Sequence, residues 1–94
     1  MKNKILIVDD SKDTRLYVSS ILTDYEVIEA KDGIEAIKII ENNKINLLIT
    51  DYRMPNMDGF DLVTDIKKKK HDFPIIIITA LKSIEKKRQM LRLG

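Results

Sequence analysis

The stretch NLLITDYRMPNMDG, Asn46 to Gly59, begins as an apolar run, stops at the carboxylate of Asp51, and continues through a Met54-Pro55 step to an Asp58-Gly59 step. Leu47 to Ile49 are nearly continuous in branched aliphatic residues, without the alternation of a strand that shows one face to water. That pattern suits a strand buried on both faces, as in a parallel sheet covered by helices. A proline and a glycine close behind it predict a tight turn. The reading decides the fold, because a parallel strand needs a crossover on each side.

The flanking sequence supplies those crossovers. Ile5–Val8 and Ile75–Ile78 are apolar runs of the same kind, and Val27–Ala30 reads as a weaker strand at an edge. Between them lie stretches of helical period. Val18, Ile21, Leu22 and Tyr25 form one predicted stripe, Ile34, Ile37 and Ile40 a second, and Phe60, Val63 and Ile66 a third. Asp10 or Ser11, Asp32 and Asp58 are placed to cap these helices by accepting bonds from free N–H groups. Asn42-Asn43 ends the second helix, and Pro74 opens the fourth strand where its missing N–H does least harm. Ser83 to Leu93 reads as a fourth helix with a poor stripe. The order β-α-β-α-β-α-β-α, joined by right-handed crossovers, predicts an open, doubly wound α/β sheet.

The bulk composition excludes several classes. A chain of 94 residues makes one domain; it is 44% hydrophobic and 34% charged, as in soluble globular proteins. A formal net charge of +2 gives no ground for nucleic acid as a partner. With no cysteine, the chain has no disulfide framework and no thiolate chemistry. The apolar stretch after the basic N-terminus is four residues long and ends in two aspartates, so it is not a signal peptide. No segment is long enough to span a bilayer. A cytoplasmic location is expected.

Polar groups collect at the strand ends. The first strand ends in Asp9-Asp10, the third in Asp51 and the fourth in Thr79. In an open α/β sheet the functional crevice lies beyond the carboxyl ends of the strands, where the strand order switches. Asp9, Asp10, Asp51 and Thr79 are therefore expected to meet. Carboxylates that close repel one another unless protonated or bridged by a cation, and Mg²⁺ is the natural hard bridge. A carboxylate beside such an ion can also attack phosphorus. Each group has a plainer reading: Asp9-Asp10 as a helix cap, Asp51 as a turn residue, Thr79 as a polar strand end. Those readings require all the strand ends to coincide by chance. Lys67 to Lys70 reads as a solvated helix end, His71 lacks a partner at metal-ligand spacing, and Met54, Met57 and Met90 read as packing.

KILIVDDS, LLITDYRMPNMDG and PIIIITA together resemble the receiver domain of two-component response regulators, in register from Lys4 to Gly94. The resemblance implies a flavodoxin-like fold with helices on both faces of the sheet. It implies that Asp51 is the phosphoacceptor, that Asp9 and Asp10 hold Mg²⁺, and that the backbone carbonyl of Arg53 joins the metal shell. Thr79 would be the switch hydroxyl, and the small Ala80 would admit phosphate. The phosphodonor would be a histidine kinase or a small molecule such as acetyl phosphate. The domain would be a signalling module rather than an enzyme.

Members of the family carry a fifth strand with a lysine at its tip, and a fifth helix, which this sequence does not contain. The expectation is one receiver-like domain over residues 1–94, truncated after the fourth helix, with four of the usual five strands in the order 2-1-3-4. An edge at Ile75–Ile78 without its neighbour would favour self-association. Two further functions compete. The chain could be a phosphorylation-inert module that self-associates through that edge or binds a partner that supplies the missing strand. It could also be an aspartate-nucleophile phosphohydrolase, although such enzymes place a second acid two residues on, where this sequence has Arg53. A dinucleotide site is disfavoured because the turn after the first strand has no glycine.

Overall fold

The structure is a computed structural model that describes residues 2–54 and 56–78. Its elements are β1 (Lys4–Val8), α1 (Lys12–Ile21), β2 (Glu26–Ala30), α2 (Gly33–Asn42), β3 (Leu47–Asp51), α3 (Gly59–Lys68) and β4 (Ile75–Ile78). The predicted fourth helix lies outside the described residues. The strands form one sheet in the order β2-β1-β3-β4, every pair parallel. This is the flavodoxin-like, doubly wound α/β arrangement expected from the sequence. The chain leaves β1 toward β2 on one side and returns to β3 on the other, so the order switches between β1 and β3. Val8 is in register with Thr50 across that switch, which sets Asp9 beside Asp51.

The apolar runs are explained by cover on both faces. Leu6, Val8 and Leu48 pack with Ala36, Ile40, Leu62 and Ile66 beneath α2 and α3. Ile5, Ile7 and Ile49 meet Val18 of α1 and Leu22 at its C-terminal cap on the opposite face. β2 lies at an edge, as its weaker pattern predicted. Asp51 is itself part of β3, because its backbone is in register with Ile78 of β4. The apolar run therefore continues as a strand to the carboxylate.

The helices begin where the caps predict. The Ser11 hydroxyl accepts from Thr14 N–H at 3.3 Å, and the Asp32 and Asp58 carboxylates accept from Glu35 and Asp61 N–H at 2.8 Å each. Ser11, rather than Asp10, caps α1, which leaves the Asp10 side chain free of that duty.

The buried helix faces match the predicted stripes only in part. Val18 of α1 and the capping Leu22 pack inward but Ile21 is exposed, and Tyr25 lies beyond the helix end, where helical spacing no longer applies. α2 buries Gly33, Ala36 and Ile40, packs Ile37 against the core, and leaves Ile34 exposed. α3 buries Gly59, Leu62 and Ile66 and leaves Phe60 exposed. The cause is shared: each of α2 and α3 opens with a glycine seated against a neighbour. A Cβ at Gly33 would lie 2.8 Å from the Met57 sulfur. The inward line thus begins at a glycine and runs on through Ile40 in α2 and through Leu62 and Ile66 in α3, so a reading that follows large apolar residues alone misplaces its start.

Candidate functional site

β1 and β3 end side by side, and their terminal residues supply the site. Asp9 is 9% exposed and held at several points. Its N–H donates to the Ala30 carbonyl at 3.1 Å, extending the β1–β2 ladder by one residue. One carboxylate oxygen accepts from Ser11 N–H at 2.8 Å, and its backbone carbonyl accepts from Arg15 Nη1 at 2.6 Å. Asp10 follows at the exposed start of the turn. Asp51 is half-buried, and its Oδ1 accepts from the Tyr52 N–H at 2.8 Å. That same N–H also faces the Ile78 carbonyl at 3.2 Å, a three-centre arrangement linking Asp51 to the tip of β4.

Asp9, Asp10 and Asp51 each offer a carboxylate oxygen, and these oxygens lie within 4.8 Å of one another. Burial raises the pKa of Asp51 above the ordinary carboxylate value, and the charges of Asp9 and Asp10 push it the same way against the Tyr52 and Arg53 amides. Burial likewise raises Asp9, joined by the neighbouring Asp10, while the Ser11 amide and Arg15 oppose the shift. Negative charge is thus held together at an electrostatic cost. A cluster of hard oxygen donors with one exposed member, straining against its own charge, fits a hard divalent cation such as Mg²⁺.

The chain after Asp51 turns away sharply. Asn56 adopts φ 72°, in the left-handed region that asparagine tolerates better than most residues. Gly59 then donates its N–H to the Tyr52 carbonyl at 2.7 Å, closing the loop onto the strand end. Met54 and Met57 pack against the core, as packing residues should. Of the remaining predicted site residues, Arg53 is exposed, and its amide opposes the rise in the Asp51 pKa. Thr79 and Ala80 follow Ile78 in sequence and lie outside the described residues.

With this geometry in place, comparison with known proteins is decisive. The model of the response regulator receiver domain family matches residues 5–94. The chain belongs to that family. A probable transcriptional regulator, ycf27, of Porphyridium aerugineum is 37% identical to this receiver domain over 95 residues, covering 99% of the chain and 39% of the relative. The receiver domain therefore spans well under half of that curated relative's length. Among solved structures, the chemotaxis protein CheY4 of Vibrio cholerae superposes with a TM-score of 0.85 at 36% identity, covering 100% of this chain and 82% of that one. The response regulator TrrA of Thermotoga maritima, solved in complex with Mg²⁺-BeF, gives 0.80 at 30% identity, with 98% and 99% covered.

Two contributors to the site were not read from the sequence: Arg15, which reaches the Asp9 carbonyl, and Glu29, which holds Arg15 at 3.0 Å. No pattern in the sequence points to either one.

Proposed function

We propose that this receiver domain accepts a phosphoryl group on Asp51 as a step in two-component signalling. The supporting observation is the convergence of the Asp9, Asp10 and Asp51 carboxylates within 4.8 Å at the switch in strand order. An Asp51 oxygen attacks phosphorus, forming an acyl phosphate. The bond to the donor's leaving group breaks, and its electron pair leaves with imidazole or with acetate. Asp9 and Asp10 would hold Mg²⁺ together with Asp51 and the Arg53 carbonyl. When bound, the ion neutralises the carboxylates and the incoming phosphoryl oxygens.

The chain's own groups do the rest. The Tyr52 N–H fixes one oxygen of Asp51 and so orients the other. The Gly59 bond to Tyr52 anchors the loop that carries Arg53. Thr79 is assigned the hydroxyl that meets the phosphoryl group, and Ala80 the small residue that admits it. The donor is a histidine kinase or a small acyl phosphate. The role is that of a cytoplasmic signalling domain rather than an enzyme acting on a separate substrate. Solution of the 30%-identical TrrA with Mg²⁺-BeF supports this reading.

Incubation with acetyl phosphate and Mg²⁺, followed by intact mass measurement, tests it. Wild type should gain one phosphoryl group and Asp51→Asn none. No gain in wild type, or an equal gain in both, overturns it.

A second reading is favoured by the position of β4, an edge strand among the described residues whose Ile76 and Ile78 side chains are also exposed. Such an edge can pair with another copy of the chain. Sedimentation should then show concentration-dependent association that persists in Asp51→Asn. A single monomer boundary across micromolar concentrations overturns this reading.

A further inference from the structure

Arg15 is anchored at two points. Its side chain is 15% exposed, and it joins α1 to both neighbouring strands. Nε donates to Glu29 Oε1 of β2 at 3.0 Å, and Nη1 donates to the Asp9 backbone carbonyl at the tip of β1 at 2.6 Å. Val27 and Glu29 alternate with Ile28 and Ala30 along β2, and Val27 packs with Val18 and Leu22 beneath α1. Glu29 therefore stands on the α1 face, where Arg15 can reach it. The Asp9 carbonyl belongs to the peptide that links Asp9 to Asp10.

We propose that Arg15, held by Glu29, is a positioning residue for the carboxylate site. By fixing the Asp9 carbonyl, it sets the direction in which Asp9 and Asp10 present their oxygens to a divalent cation. The planar guanidinium is needed because one fork serves two acceptors on different strands; a lysine ammonium is a compact point charge on a flexible stem. The proposal rests on the reading of this site as a cation site.

Charge and position predict opposite outcomes, which makes the role testable. If Arg15 acted only through its charge, its removal would leave a more negative site and tighten cation binding. If it positions the turn, its removal misaligns the ligands and weakens binding, as loss of partners that orient metal ligands does.

The probe is Mn²⁺ titrated into the purified chain, with free ion read by electron paramagnetic resonance and displacement by Mg²⁺ as a check. Arg15→Met should raise the Mn²⁺ dissociation constant roughly tenfold. Arg15→Lys, which keeps the charge, should weaken binding as well and serves if the methionine variant does not fold. Glu29→Met should weaken binding in wild type and add nothing further in the Arg15→Met background, because Glu29 acts through Arg15. Wild-type or tighter affinity in the foldable Arg15 variant overturns the proposal. So does a full, additive Glu29 effect.

Amide exchange in the metal-free protein separates this proposal from the one it rests on. The Ser11 N–H, bonded to the Asp9 carboxylate, should exchange faster in Arg15→Met. If wild type binds no Mn²⁺, the cation-site reading fails, and Ser11 exchange alone then judges the bridge: unchanged exchange overturns it.

Discussion

Gly59 lies so close to Asp51 that a Cβ on the glycine would meet the Asp51 carbonyl oxygen at 2.6 Å and the Tyr52 Cα at 3.0 Å. Both obstacles are backbone, at the end of the strand that carries the site. Neither can rotate away. Gly59→Ala must therefore displace either α3 or the tip of β3. Overpacking of this kind costs about 1–3 kcal/mol, and urea unfolding should show a loss in that range. The displaced strand end should also slow the gain of phosphate from acetyl phosphate. Gly33→Ala is the control. Its obstacle is the Met57 side chain, and alanine favours the helix, so a smaller loss is expected.

α3 offers a direct test of which residues form its buried face. Leu62 is fully buried, whereas Phe60 is 44% exposed. Leu62→Ala should cost about 2–5 kcal/mol, as leucine truncations in cores do. Phe60→Ala, although it removes a larger side chain, should cost less than Leu62→Ala. Equal losses in chemical denaturation would return α3 to the orientation its large apolar residues suggest.

That contrast shows what was legible in the sequence. The four strands were readable because cover on both faces makes each a continuous apolar run, and the handedness of crossovers then orders them. The carboxylate site was readable because strand order alone brings Asp9 and Asp10 beside Asp51. The helix orientations were not, since they depend on Gly33 and Gly59, whose contribution is the absence of a side chain. Arg15 was missed for a different reason. Its partners are a backbone carbonyl and a strand residue fourteen positions away, and no periodicity links them.

The caps of α2 and α3 should carry measurable stability. Asp32 and Asp58 each accept a helical N–H at 2.8 Å, and the Glu35 side chain accepts the Lys31 N–H at 3.1 Å in a second bond at the same helix start. Replacing either aspartate by alanine should cost about 1 kcal/mol. Asp58 also precedes Gly59, so its loss should additionally slow phosphorylation, while Asp32→Ala should leave that rate unchanged. Thermal denaturation and phosphorylation kinetics on the two variants check the distinction.

The electrostatic cost of the site sets a pH dependence with a definite sign. Burial and mutual repulsion raise the pKa values of Asp9 and Asp51 in the folded chain. Between the unfolded carboxylate value, about 3.9, and the raised folded values, the native state holds more protons than the unfolded state. The contribution of these groups to stability is thus full below the unfolded value and is lost as pH rises through the folded ones. Without a divalent cation, Asp51→Asn should melt higher than wild type at neutral pH, and the difference should close on acidification toward pH 4. Mg²⁺ should reverse the order by stabilising wild type through linkage, by about 2.7 kcal/mol at a hundredfold excess over the dissociation constant. Melting curves of both proteins across pH, with and without Mg²⁺, check each limb. An Asp51→Asn variant that is less stable at neutral pH without the ion would mean that the three carboxylates do not strain against one another.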